Sequence, residues 1–225
     1  MDFYGVFLDI WPMLLEGLAM TLKVSAIALF IAFFLGLASC LMGMSKIFFL
    51  KWLSKAYVWV IRGTPFIVQL FIVKYGFPQL VKIWIPEFNI GITIAAIATL
   101  ALNAGAYLSE IFRGGIQAVD VGQMEAARSL GLPKGHAMRK VILPQAIRIC
   151  IPSLGNQFII TLKDSSLAQV IGLNELFYQG KIYVGYSFKS FETYILVGCV
   201  YLLVIAALSY LMNRIERRLD CGTKS

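Results

Sequence analysis

Apolar residues run almost unbroken through three stretches, about 18–44, 90–112 and 191–212. Each is long enough to cross the hydrocarbon core of a bilayer as a helix, which takes about 20 residues. Two further stretches, about 55–80 and 145–172, are apolar but interrupted. The first contains Arg62, Gly63, Pro65, Gln69 and Lys74, and the second Pro152, Gly155, Asn156, Lys163 and Asp164. Polar groups at membrane depth must face protein or water rather than lipid, so these two helices are expected to line an interior. Pro65 and Pro152 each remove a backbone donor and predict a bend. The pattern predicts an all-α integral membrane protein with five transmembrane helices, forming one domain over residues 1–225.

Between the third and fourth apolar stretches, over about 113–144, the chain turns polar and basic. Within it, Glu-Ala-Ala-Arg-Ser-Leu at 125–130 is good helix-forming sequence, and Gly131 can take the left-handed conformation that ends a helix. A short helix with a firm stop is predicted. Gln123, Ala127 and Leu130 share one face at i, i+4, i+7, and Glu125 neighbours Arg128 at i, i+3. That face is expected to pack into a partner, with the charges setting the register.

Composition agrees with a membrane location. Hydrophobic residues make up 59% of the 225 and charged residues 14%, where soluble domains carry roughly 25% charged. No stretch reads as a soluble catalytic domain. The net charge of +8 could point to nucleic acid, but the basic residues gather at the ends of spans instead of alternating with aromatics on a polar face. Lys46, Lys51 and Lys55, then Arg113, Arg128, Lys134, Arg139, Lys140 and Arg148, then Arg214, Arg217, Arg218 and Lys224 fall on one side of a five-span arrangement. By the positive-inside rule that side is cytoplasmic, with the N-terminus outside and the C-terminus inside. The other side holds Asp2, Asp9, Glu16 and connections carrying Lys82, Lys181 and Lys189. The first basic residue is Lys23, so no basic region precedes the first span and that span is expected to be retained.

Candidate chemistry is sparse. Cys40, Cys150, Cys199 and Cys221 have no metal-site or disulfide spacing, and His136 is the only histidine. No GxxxxGK[ST] phosphate loop occurs, so ATP would have to be bound elsewhere; no cofactor or metal is expected. Asn103, Tyr107 and Glu110 form a polar stripe at i, i+4, i+7 on the third span. Gln157 and Asp164 share a face of the fourth, with Asn156 and Lys163 beside it, and Arg62 and Gln69 share a face of the second. Gln69, Asn103, Tyr107, Asn156 and Gln157 are candidates to line a substrate pathway, since amides both donate and accept; interhelical amides also serve as packing contacts. For Arg62, Lys163 and Asp164, a gating or structural ion pair ranks above contact with cargo, because charge inside a span demands a partner or a wet cavity.

The spacing of Glu125, Ala126, Ala127, Gly131, Leu143 and Pro144 resembles the cytoplasmic EAA loop of permease subunits of bacterial ATP-binding-cassette importers, with Val141 where isoleucine is usual. VIRGTPFIVQLF at 60–71, LNAGAYLSEIFRGGIQAV at 102–119 and GNQFIITLKDSSLAQVIG at 155–172 are similar to the polar amino-acid uptake subfamily, and the resemblance extends from about residue 15 to 218. It implies a type I importer permease fold in a bacterial inner membrane, itself without catalytic activity. Glu125, Ala126, Ala127, Arg128, Gly131, Leu143 and Pro144 would couple it to ABC ATPase subunits. The resemblance also implies an extracytoplasmic amino-acid-binding protein and a second permease subunit, identical or not. The cargo would be an amino acid, polar or neutral, such as cystine or glutamine; relatives carrying cationic amino acids resemble one another in having an acid where this chain has Gln157. The alternative is a secondary carrier or channel working without an ATPase, against which stands the lack of a visible inverted repeat.

Overall fold

Residues 3–220 are described here by a computed structural model, and among them every regular element is helical. Asp2, Cys221 and Lys224 lie outside the described residues. The elements are α1 (Phe3–Met44), α2 (Phe48–Gly63), α3 (Phe66–Val81), α4 (Ile92–Gln117), α5 (Val121–Ser129), α6 (Lys134–Ala137), α7 (Leu143–Asp164), α8 (Leu176–Ser187) and α9 (Ser190–Asp220). A 3₁₀ segment, Ser165–Ile171, extends α7 to Gly172, whose φ is 85°.

The first helix begins at Phe3, well before the expected residue 18. Val6, Ile10, Leu14, Gly17, Thr21 and Val24 make one buried stripe, while Asp9 and Glu16 point to the exposed side. The acids therefore interrupt composition without interrupting the packing face. With 42 residues, α1 is about 63 Å long, roughly twice the thickness of the hydrocarbon core. It packs most extensively on α4. Glycine makes that crossing close: a Cβ at Gly36 would lie 2.7 Å from Leu108 Cβ, and one at Gly105 would lie 3.1 Å from Leu35 Cβ. Small residues at helix crossings let backbones approach where lipid supplies no hydrophobic drive between helices.

Three helices, α1, α4 and α9, are individually long and apolar enough to cross a membrane, among the described residues. The expected second span is instead an elbow: α2 and α3 meet at 109°, and only as a pair do they pass the same test. Its cause is local. Pro65 restricts the residue before it to extended backbone, and Thr64 sits at φ −122°, ψ 145°. The expected fourth span corresponds to α7 and its 3₁₀ extension. Pro152 lies inside the continuous α7 helix, which carries Arg148, Lys163 and Asp164 and falls short in apolarity.

Two other prolines are accommodated differently. Pro144 and Pro78 each follow a π turn, Met138–Ile142 and Ile72–Gly76. A proline ring clashes with the carbonyl four residues earlier, here on Lys140 and Lys74, and both fall at the centre of a π turn. The wider turn removes the clash without breaking the helix.

The helix α8 occupies a stretch that sequence reading treats as a connection. Glu175, fully buried, caps it, accepting from the Phe177 amide at 3.0 Å, the Tyr178 amide at 2.7 Å and the Tyr201 hydroxyl of α9 at 2.9 Å. The Leu176 amide donates to the Thr21 hydroxyl of α1 at 3.1 Å. One carboxylate thus ties the start of α8 to the interior of α9 beside α1.

Candidate functional site

The polar segment folds into α5, and its ends are capped as its residues dictate. Asp120 accepts from the Gly122 amide at 2.6 Å, satisfying an orphan donor of the first turn. At the other end Gly131 has φ 84°; its amide donates to the Arg128 carbonyl at 3.0 Å and the Leu132 amide to the Ala127 carbonyl at 3.2 Å. These two bonds form a Schellman stop, which requires the left-handed residue. The predicted stop at Gly131 is present.

The face predicted to meet a partner is divided otherwise. Ala127 is buried, whereas Leu130 is 84% exposed. Met124, beside Ala127, packs on a pad formed by Val119, Ile142 and Ala146, so this side of α5 rests on the end of α4 and the start of α7. Gln145 of α7 reaches the Gln123 side chain at 3.4 Å. The outward face is Val121, Glu125 and Arg128, at i, i+4, i+7; Val121 is 72% exposed. Glu125, Ala126, Arg128, Gly131 and Pro144 are exposed and Leu143 is half-buried. Helical spacing alone could not tell which face the rest of the chain would cover.

The polar stripe on α4 faces the elbow. Gln69 of α3 donates to the Ile61 carbonyl at 2.7 Å, the Thr64 carbonyl at 3.0 Å and the Thr64 hydroxyl at 2.9 Å. Its own carbonyl accepts from Asn103 at 3.0 Å. Both amides are buried. In this conformation they close the end of α2 and fasten the elbow to α4, so neither is turned to solvent. Two turns along, Arg62 pairs with Glu110 and lies over the Tyr107 ring at 5.1 Å, and Arg113 joins Glu110 at 3.1 Å. The partner that the charge of Arg62 calls for is Glu110, which Arg113 shares; the i, i+7 placement of Glu110 after Asn103 is the signal for it in the sequence.

On α7 the picture differs. Asn156 is exposed, but Gln157 is buried and bonds within its own helix to Thr161 at 3.4 Å. No hydrogen bond joins either to Asn103 or Gln69. Lys163 and Asp164 form no ion pair; among the described residues, ion pairs involve only Arg62, Glu110 and Arg113. At the end of α7 Lys163 is exposed and Asp164 half-buried, and the ion pair expected for them is not formed among the described residues. A cleft of about 820 Å³ opens between the ends of α1, α2 and α4, with Arg62, Glu110 and Arg113 on its wall.

Residues 36–220 match the family described as "Binding-protein-dependent transport system inner membrane component". The chain is 37% identical over 208 residues to the arginine transport system permease protein ArtQ of Bacillus subtilis (strain 168), covering 92% of this chain and 93% of that one. It is 37% identical over 217 residues to the glutamine transport system permease protein GlnP of Escherichia coli (strain K12), covering 93% and 95%. Among solved structures, a chain of an amino acid ABC transporter crystallised with histidines superposes with a TM-score of 0.91 at 42% identity, covering 97% of this chain and 99% of that one.

Proposed function

The chain belongs to the family of inner-membrane components of binding-protein-dependent transport systems, and from that premise we propose that it is the permease of an ATP-driven amino-acid importer in which α5 is the coupling helix. The ATPase of such systems is a separate subunit, and a solute-binding protein delivers the cargo. Five spans, with the N-terminus outside and α5 in the cytoplasm, satisfy the positive-inside rule, counting the elbow and α7 as one crossing each. The observation that carries the reading is the capped helix α5, seated by Met124 on Val119, Ile142 and Ala146 with its Val121–Glu125–Arg128 face open.

An ATPase docked on that face would push on two helices at once. Val119 passes the displacement to α4, and Ile142 and Ala146 pass it to α7. The elbow and the Arg62–Glu110–Arg113 cluster then stand where α4 slides past α2, and two permease subunits, identical or sister, enclose the path. Tyr107 and Asn156 are the exposed candidates to meet cargo; Gln69 and Asn103 shape the wall, and Gln157 requires the helices to move before it can. Coupling in such a cycle is the differential affinity of ATPase and binding protein for two permease states. Relatives of equal identity named for arginine and for glutamine leave overall similarity silent on cargo; the neutral Gln157 favours a polar or neutral amino acid.

The test is uptake by proteoliposomes holding the permease, its ATPase and its binding protein. Glu125→Lys combined with Gly131→Val is expected to abolish uptake while ATP hydrolysis persists. Full-rate uptake by that variant, or flux through the permease alone without ATPase, would overturn the proposal, the latter in favour of a secondary carrier or channel.

A further inference from the structure

The cleft between α1, α2 and α4 carries more positive charge than its own structure uses. Lys51, Lys55 and Arg62 lie along one stripe of α2, at i, i+4, i+11, and Arg113 faces them from α4. Glu110 is the only acid on the walls, and it is taken by the two arginines. Lys51 and Lys55 are exposed and have no ion-pair partner among the described residues. Four cations against one carboxylate leave a local excess of three positive charges.

The floor of the cleft is built rather than fluid. Ser39, Ser54 and Ser109, all buried, form one chain of hydroxyls: Ser109 to Ser39 at 3.0 Å, Ser39 to Ser54 at 3.0 Å, and the Ser54 hydroxyl to the Ser39 carbonyl at 2.7 Å. Gly43 faces Ser54, where a Cβ would meet the hydroxyl at 3.0 Å. These contacts hold the three helix ends at fixed separation below the lysines.

Trp59 lines the cleft, and further aromatics flank it on α2. On the shoulder of the α2 stripe stand Phe48, Trp52 and Trp59, with Phe48 82% and Trp59 78% exposed. Exposed tryptophan at the end of membrane helices marks the headgroup level of a bilayer. A path for a small polar solute gains nothing from such aromatics. Unpaired lysines beside them, in a basic pocket between helix ends, have the chemistry that holds an anionic lipid headgroup.

We propose that the cleft between the ends of α1, α2 and α4 is a binding site for an anionic phospholipid, whose phosphodiester sits between Lys51, Lys55 and Arg113 while its acyl chains lie along Trp52 and Trp59. The site rests on the chain's place in a membrane and needs neither the cargo nor the ATPase. An occupied site would neutralise Lys51 and Lys55, which otherwise repel one another along α2 and repel Arg113 on α4, and so would hold α2 against α4.

The experiment is native mass spectrometry of the full chain from mild detergent, with phosphatidylglycerol or phosphatidylcholine added. Retention of phosphatidylglycerol is expected to exceed that of phosphatidylcholine. The double variant Lys51→Gln, Lys55→Gln should weaken it roughly twenty-five-fold, at about fivefold per cation near an anionic headgroup. Both lysines are exposed, so the variant should fold, with helix content by circular dichroism as the check; Lys82→Gln, away from the cleft, should retain lipid as the unaltered chain does. Equal retention of the two lipids, or equal retention by the double variant, overturns the proposal. Displacement by millimolar inorganic phosphate would overturn the lipid in favour of a soluble anion, and loss of the lipid on adding the ATPase would show the lysines to be a protein contact.

Discussion

Gln69 and Asn103 offer a test of how the elbow is held. Gln69→Leu keeps much of the side-chain bulk but removes the acceptor for Asn103 and the donor to the carbonyls of Ile61 and Thr64. Asn103 is only 8% exposed, so its amide finds no water. A buried donor left unpaired costs about 1–3 kcal/mol. Asn103→Leu strands the Gln69 carbonyl at a similar cost but leaves the cap on α2 intact. Gln69→Leu should therefore be the more damaging single change, at about 2–3 kcal/mol against about 1–2. The double variant has no orphaned amide between the two positions, so the losses should not add. A coupling energy of about 1–2 kcal/mol is expected, within the range for residues in one network and above the average of about 0.6 kcal/mol for hydrogen bonds between membrane helices. The assay is denaturant unfolding in mild detergent, followed by circular dichroism, for the four members of the cycle. Additivity within about 0.3 kcal/mol, or a smaller loss for Gln69→Leu than for Asn103→Leu, would refute the reasoning.

Three further outcomes are expected. At Gly131 an added Cβ meets nothing within 4 Å, so substitution acts through the backbone alone: uptake should fall in the order Gly, Asn, Ala, Val, with Ala costing about 1 kcal/mol and Val about 2, and a flat series would show that the Schellman stop does not matter. Glu175→Ala should lower stability by about 2–4 kcal/mol, the sum of a lost cap and an orphaned Tyr201 hydroxyl, and should speed amide hydrogen exchange in α8; Glu175→Gln, still able to accept from Tyr201, should lose clearly less. Glu110→Gln should change stability by about 1 kcal/mol or less, because its partners are partly exposed, and unfolding that shifts by several times that would mean the cluster is more enclosed than it is here.

The long helices and the stop at Gly131 were legible because each depends on local chemistry: apolar length for α1, α4 and α9, and left-handed backbone for the glycine. Arg62 was legible as a residue needing a partner because charge in a span is costly. What could not be read depends on how helices meet. Gly180 and Gly185 make 176–187 look like a connection, yet a Cβ at Gly180 would lie 2.6 Å from Val197 Cγ2, so that glycine marks a close approach of α8 to α9. The inward turn of Ala127 follows from the pad under α5, which is assembled from residues 116–146 and has no signature in the nine residues of α5 itself. The amides of Gln69 and Asn103 read as groups for a cargo because sequence could not reveal that the broken end of α2 would claim them first.

The π turn before Pro144 holds one residue more than an α-helical turn would, and every side chain after it is advanced by that residue. Winding the same residues as an ordinary helix would bring the Pro144 ring back against the Lys140 carbonyl and would rotate α7 by about 100° against α5. Asn156 would then swing away from its present bearing while the docking face of α5 stayed where it is. The turn is thus a phase-setting element: it fixes the angle at which a push received on one surface of the protein is delivered to another.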